Sequence, residues 1–307
     1  MRKVWLLEKD REKMKKYLAV DIGGTFLKYS LMNDEYQVLE EGEEPTAKNP
    51  EQFLEQIKMT VKRYQQKICG IAVCMAGFIN PVTGENTDYS VGENFRKYNL
   101  KKELADTFNV PVLIENDSNC AAVGELIKGS GQDIQNFCML TFGTGIGGAM
   151  IIDRHLYRGS HYKAAEAGLV KLEYTSSDGV SASATSVLVR AVSRELGREV
   201  DGIYVFAHLD DPKVFNIYRE WLNKAAMAAG NAAMLLDPEK MLIGGAVSHQ
   251  PRFLVDLQEE VYRLYPQLRA YTKIEACRLG NQAGRIGALH LYRITFEEED
   301  EELDREE

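Results

Sequence analysis

Asp117 lies in the run Val112-Leu-Ile-Glu-Asn-Asp-Ser-Asn-Cys-Ala-Ala-Val-Gly-Glu125, which reads as a strand that stops and a helix that starts. Val112, Leu113 and Ile114 follow Pro111 as a short buried strand would, and Asn116, Asp117, Ser118 and Asn119 are turn and capping types. A carboxylate at the C-terminal end of a strand in an α/β protein often faces the ligand crevice, where it can accept a proton. On this stretch alone the other reading, that Asp117 only caps the helix, is equally open.

Three glycine turns carry a second kind of chemistry. In Asp21-Ile-Gly-Gly-Thr25, the missing Cβ atoms of Gly23 and Gly24 let backbone N–H groups approach phosphate oxygens closely. Thr25 adds a hydroxyl donor, and Asp21 can hold Mg²⁺ directly or through water. Phe142-Gly-Thr-Gly-Ile-Gly-Gly148 offers Gly143, Thr144, Gly145 and Gly147 in the same way. It also matches G-x-G-x-x-G at Gly143, Gly145 and Gly148, but a dinucleotide site needs a helix next, and residues 149–153 read as a strand. There is no G-x-x-x-x-G-K-[ST] run, which excludes a P-loop. Two glycine hairpins, one from each half of the chain, can clamp a triphosphate, and Gly244-Gly245 suits a nucleoside passing close by.

The elements that must position these residues repeat. Strands are expected at 17–22, 26–32 and 35–41, a helix at 50–66, a doubly buried strand at 68–75, and a helix at 101–108 before the Asp117 stretch. Residues 76–99 form a long connection, of the kind that tends to be functional. The order then restarts with strands at 136–142, 149–153 and 155–158. Helices are expected at 185–196, 201–209 and 212–236, a strand at 240–243, a helix at 253–264, a strand at 274–278 and a helix at 282–292. So β-β-β-α-β-α-β-α occurs twice, with a helical insert in the second copy, and two such halves bracket a cleft. The expected domains are 1–125 and 126–292, with the last helix able to pack back on the first domain, and an acidic tail at 296–307. The small residues at 225–233 read as permitting close helix packing.

Composition narrows the partners. The chain has 307 residues and a formal net charge of −9, which argues against nucleic acid and anionic membrane surfaces. No run approaches transmembrane length, and the N-terminus lacks a signal-peptide pattern. The cysteines, Cys69, Cys74, Cys120, Cys138 and Cys277, are odd in number and form no C-x-x-C pair. They read as reduced thiols of a cytoplasmic protein rather than a disulfide framework or a zinc site. A homodimer is the default expectation.

Taken in order, Asp21-Ile-Gly-Gly-Thr25, Ile71-Ala-Val-Cys-Met-Ala-Gly77, Glu115-Asn-Asp-Ser-Asn119, Gly143-Thr-Gly-Ile-Gly-Gly148, Ala165-Glu-Ala-Gly168, Met241-Leu-Ile-Gly-Gly245 and Asn281-Gln-Ala-Gly-Arg-Ile-Gly-Ala288 resemble the motif series of ROK proteins (repressor, open reading frame, kinase). Each motif is weak alone; the ordered series, over roughly 17–292, is specific. The resemblance implies an actin-like, hexokinase-like ATPase fold of the α/β class, with two RNase H-like domains around a cleft that takes ATP–Mg²⁺ and a sugar. It implies Asp117 as catalytic base, Asn116 and Glu166 as sugar-binding residues, and Asn94 as a further sugar contact.

The chain departs from the family pattern after Glu166. The family often has E-x-G-H and then a cysteine-rich, zinc-binding loop; here Leu169 stands in the histidine position and 173–183 has no cysteine. A zinc site needs three or four N or S ligands, so no zinc is expected. The loop's sugar-contacting glutamate falls near Ala182, so the C1 and C2 end of the sugar is read differently or not at all. This resembles the branch lacking the zinc motif, similar to bacterial β-glucoside kinases. The implied activity is an ATP-dependent kinase acting on a primary (6-) hydroxyl of a hexose or β-glucoside. The alternatives are an N-acyl-amino-sugar kinase of the same family and a sugar-binding protein without catalysis. A sugar-responsive repressor is disfavoured, because only 20 residues precede Asp21, too few for a winged helix-turn-helix.

Overall fold

The computed structural model describes residues 14–170 and 182–297. Expectations that fall on 1–13, on 171–181 and on the tail from 298 lie outside the described residues. The described residues form two compact units, the first lying within 1–124 and 282–307 and the second within 125–281.

In the first unit, β1 (Lys16–Ile22), β2 (Phe26–Asn33), β3 (Val38–Pro45), β4 (Gly70–Met75) and β5 (Val112–Asn116) form a sheet of order β3-β2-β1-β4-β5. β1, β2 and β3 are antiparallel meander strands, while β1, β4 and β5 run parallel. Alternation along β1 sends Leu18, Val20 and Ile22 into a core with Phe53, Ile57 and Val61 of α1 (Pro50–Lys62) and Leu100 and Leu104 of α2 (Leu100–Phe108). α1 starts where Asn49 accepts the Gln52 amide at 3.0 Å and Pro50 occupies the first turn. The third strand begins later than the expected residue 35. Asn33 Oδ1 accepts the amides of Glu35 and Gln37, and Tyr36 takes a φ of 64°, so the chain turns before it extends.

On the opposite sheet face α8 (Ala283–Phe296) packs on β1, β4 and β5, α3 (Asp117–Lys128) sets Cys120 beside Cys74 of β4, and β4 is buried along its whole length. These two helices pack backbone to backbone: a Cβ on Gly124 would lie 2.2 Å from the Ala283 carbonyl oxygen, and one on Gly287 1.7 Å from that of Cys120. By its packing α8 is part of the first unit, although it ends the second β-β-β-α series in sequence. Glu297, the last described residue of the acidic tail, is held by Tyr17, Lys15 and Arg293.

The second unit repeats the topology. β6 (Phe137–Phe142), β7 (Ile146–Ile152), β8 (His155–Leu156), β9 (Lys240–Gly244) and β10 (Lys273–Ala276) lie in the order β10-β9-β6-β7-β8, the same sequence of strands as in the first unit. α4 (Thr185–Leu196), α5 (Gly202–Ala207), α6 (Pro212–Leu236) and α7 (Pro251–Leu264) supply its helices, with Tyr218, Trp221 and Phe253 at the centre of the core. β7 starts at Ile146, three residues before the expected strand, because the glycines at 147 and 148 extend the hairpin instead of forming its turn. No described helix is long and apolar enough to cross a membrane.

Candidate active site

Strand register brings the acidic residues of the first unit together. Asp21 is paired with Cys74, and Cys74 with Glu115, so Asp21 and the β5–α3 junction lie at the C-terminal edge of the three parallel strands. Burial and then the neighbouring Asp117 charge raise the Asp21 carboxyl from 3.8 to about 6, against the opposing pull of Lys28 and Arg285. Lys28 faces Asp21 directly across the β1–β2 hairpin. Asp117 is also raised, by burial, with hydrogen bonds from Ser118 acting against the rise.

The junction divides labour between two neighbours. Asn116 is the cap of α3: its Oδ1 accepts the amides of Ser118 at 2.9 Å and Asn119 at 3.0 Å, while its Nδ2 donates to the Gly77 carbonyl at 3.1 Å. Asp117 is therefore not needed as the cap. Its Oδ1 accepts from the Ser118 amide at 2.7 Å, a bond that turns the carboxylate toward the helix N-terminus. Below it, the fully buried Glu115 accepts from the Asn116 amide and from Asn119 Nδ2. Asn94 is buried, and its Nδ2 donates to the Ala47 carbonyl at 2.9 Å, so at least one of its donors holds the 76–99 connection in place.

The first glycine turn closes through the Gly23 amide to the Phe26 carbonyl at 3.0 Å, leaving Gly24 and Thr25 exposed. Thr46 supports it from behind, its hydroxyl donating to Gly23 at 2.8 Å and its amide to Thr25 at 2.9 Å. Lys48 donates to the Gly24 carbonyl.

In the second unit the turn Gly143–Thr144–Gly145 is exposed and closes through Gly143 N–H to Gly145 at 2.9 Å. The first turn of α4 braces it: the Ser186 amide reaches Gly143 at 3.1 Å and its hydroxyl reaches Thr144 at 2.7 Å. Gly147 lies beyond the turn, within β7 opposite Thr141. Gly245 follows β9 with φ 87° and ψ 163°, and its carbonyl accepts the amide and hydroxyl of Ser248. Glu166 heads the short helical turn Ala167–Leu169. That segment lies flat on β7, for a Cβ on Gly148 would meet the Ala165 carbonyl at 2.1 Å and one on Gly168 that of Ile146 at 2.3 Å. Leu169 and Val170 are exposed, and of the stretch in which the family's zinc loop would fall, residues 171–181 lie outside the described residues.

Among the described residues no group of three His, Cys, Asp or Glu side chains could hold a metal by itself. Asp21 nevertheless fits Mg²⁺, which takes few protein carboxylates when phosphates supply the remaining ligands. A carboxyl raised by burial and by a like charge is one that a cation would restore to the ionised form.

The ROK family model matches residues 17–294. The chain belongs to the ROK family. A β-glucoside kinase of Listeria innocua serovar 6a is 33% identical over 290 residues, covering 90% of this chain and 96% of that one. A β-glucoside kinase of Klebsiella pneumoniae is 27% identical, covering 94% and 99%. Among solved structures, a ROK family glucokinase from Streptomyces griseus in complex with glucose and AMPPNP superposes with a TM-score of 0.78 at 25% identity, covering 91% of this chain and 99% of that one. The fold is the α/β actin-like ATPase fold, as the paired sheets of this ROK chain and its structural neighbours agree.

Lys28 and Arg285 were not legible as site residues. Lys28 could have been found by counting the hairpin register back from a four-residue turn; Arg285 is 264 positions from Asp21, with no local signal.

Proposed function

We propose that this chain transfers the γ-phosphoryl group of ATP to the primary 6-hydroxyl of a hexose or a β-glucoside. It is an ATP-dependent sugar kinase, and the observation that carries the mechanism is that Asn116 caps α3, which leaves Asp117 for chemistry. Asp117 accepts the proton of the attacking hydroxyl as that oxygen bonds to the γ-phosphorus and the bond to the β–γ bridging oxygen breaks. Asp21 would hold Mg²⁺ together with the phosphates, and the ion would supply positive charge against the phosphoryl oxygens. The exposed turns at Gly23–Thr25 and Gly143–Gly145 offer backbone amides to the phosphates, with Gly147 fixing the strand behind the second turn. Gly244 and Gly245 serve the nucleoside, and Asn94, Asn116 and Glu166 the sugar.

The substrate reading rests on Leu169, whose exposed side chain stands where the family's histidine would be. A wall without polar readers discriminates weakly against added groups, whereas a hydroxyl-reading site discriminates strongly. The C1 end should therefore tolerate a substituent. The test is a coupled ADP-release assay comparing kcat/KM for glucose, methyl β-glucoside, cellobiose and N-acetylmannosamine. Turnover of the β-glucosides at least as efficient as that of glucose is expected; exclusion of the glycosides overturns the substrate reading.

A further inference from the structure

The second unit holds a cavity of about 350 Å³ between its sheet, the C-terminal half of α6 and the segment 163–170. Leu140 of β6 and Met150 of β7 form the floor, both nearly fully buried, and Ala228, Ala232 and Leu236 of α6 form a wall. The helix leaves this space by its choice of residues. Ala225, Ala226 and Ala229 pack into the core, but Ala228 and Ala232, one turn apart on the neighbouring stripe, present only methyl groups to the cavity. The small residues of 225–233 therefore serve two ends, since some close the core and two keep a space open. An empty space costs contacts that larger side chains there would make.

Glu166 and Ala167 line the same cavity. Along the β6–β7 hairpin, the exposed turn 143–145 is the tip, and the 165–168 segment lies over Gly148 and Ile146. The cavity reaches Met150 and its strand partner Cys138, farther from the tip. A sugar held by Glu166 therefore has the glycine turn toward one side and the cavity toward the other. Val170, next to Leu169, and Leu235 also line the cavity and are exposed, so among the described residues it is reached from solvent.

The charged and amide side chains of the lining are Lys163, which is exposed, Glu166 and Asn231. Asn231 Oδ1 accepts the Tyr265 hydroxyl at 2.7 Å, which fixes the amide. A second sugar would set several hydroxyls against Leu140, Met150 and Leu236, and a hydroxyl buried without a partner is costly. An aromatic ring carries no such cost and gains contact with the Met150 thioether. The space is sufficient, since a dry cavity of about 150 Å³ already takes benzene.

Resting on the reading of Glu166 as a sugar contact and of β-glucosides as substrates, we propose that this cavity is the aglycone site and takes an aromatic aglycone, so that aryl β-glucosides are the preferred substrates. The glycosidic bond stays intact, and the acceptor remains the 6-hydroxyl. The test measures kcat/KM by ADP release for glucose, methyl β-glucoside, phenyl β-glucoside and cellobiose, with a thermal unfolding midpoint for each protein. The proteins are the parent, Ala232→Leu, which fills the cavity, and Leu236→Gln, which makes a half-exposed part of its wall polar without added bulk.

One methylene-sized change in an apolar pocket alters specificity about 10- to 200-fold. Phenyl β-glucoside should therefore exceed methyl β-glucoside and cellobiose by about tenfold or more in the parent. Each variant should lower kcat/KM for phenyl β-glucoside by about tenfold or more, with glucose and methyl β-glucoside held within about threefold. Cellobiose matching phenyl β-glucoside in the parent, a phenyl preference that survives both variants, or equal losses for glucose and phenyl β-glucoside would each overturn the proposal. If Ala232→Leu does not fold, Leu236→Gln decides; if neither folds, the wall is structural and the proposal fails. Turnover of glucose with every glycoside excluded removes the β-glucoside reading and this proposal with it. Turnover of methyl β-glucoside with no gain from the phenyl group removes only the proposal.

Discussion

Replacing Gly145 by alanine separates the phosphate role of a glycine from a structural one. Gly145 is not held at positive φ, and a Cβ there would meet nothing within 4 Å. Gly145→Ala should therefore leave the ligand-free protein as stable as before, or more stable by about 0.4–1 kcal/mol through the unfolded chain. Gly245 is the contrast. Its φ of 87° and ψ of 163° belong to a region only glycine adopts comfortably, and a Cβ would lie 2.2 Å from the Phe142 carbonyl oxygen. Gly245→Ala should destabilise by on the order of 3 kcal/mol or more. If the Gly143–Gly145 turn receives phosphates, a methyl at 145 stands in their space. Losing one hydrogen bond to a charged group costs about 1.5–3 kcal/mol, or about a 10- to 150-fold rise in the KM for ATP. The KM for sugar should move by less than about threefold. Urea denaturation of ligand-free protein and ADP-release kinetics with each substrate varied give both readouts. A Gly145→Ala protein destabilised by more than about 1 kcal/mol, or equal rises in both KM values, would refute the reasoning.

Asp117→Asn keeps size and hydrogen bonding but removes the base, so kcat should fall on the order of 10²- to 10⁴-fold with sugar affinity kept; normal turnover would end that assignment. Asp21 must lose its proton to hold Mg²⁺, so turnover at limiting Mg²⁺ should decline as pH falls through about 6. Stability of the ligand-free protein should run the other way. The folded state keeps a proton that the unfolded state releases near 3.8, so this contribution is full below that pH and is lost as pH rises through about 6. Denaturant midpoints of Asp21→Asn against pH should show a flatter slope; an unchanged slope would refute the cause given for the shift. Elemental analysis of protein purified without added metal should find no stoichiometric zinc, and one chelator-resistant zinc per chain would mean that 169–183 has been misread.

Much of the fold was legible because the period of the apolar residues is the physical cause of the elements. Leu18, Val20 and Ile22 alternate for a strand, and Phe53, Ile57 and Val61 recur for a helix, so the two series could be read directly. Boundaries failed where a side chain redirected the backbone. Asn33 delays β3 by closing a turn on its own, and no apolar pattern announces that. The companions of the candidate site were hidden for a different reason. The stretch 115–119 showed four capping types in a row, and only geometry reveals that Asn116 takes the amides while Asp117 does not have to. Periodicity also says which face of a helix is apolar, not which sheet it meets, so the expectation that the last helix packs back on the first domain could not come from its apolar pattern alone.

The acidic edge of the first unit is a local conflict that its surroundings only partly offset. Register fixes Asp21 on β1, and the β5–α3 junction after Asn116 fixes Asp117, so neither carboxylate can move away without disturbing the ladder behind it. The counter-charges come from Lys28 on the neighbouring strand and Arg285 in the first turns of α8. Arg285 is itself buried, bonded to Ser30 at 2.5 Å and Glu41 at 3.3 Å, while its buried Nε makes no hydrogen bond among the described residues. Leaving a buried guanidinium donor unmatched costs free energy that an apolar residue there would not. The same side chain lowers the Asp21 carboxyl toward its ionised form, yet the net shift stays upward. The edge is thus left short of positive charge at the carboxyl proposed to hold Mg²⁺. A cation bound there would supply the positive charge that Lys28 and Arg285 leave wanting at this edge.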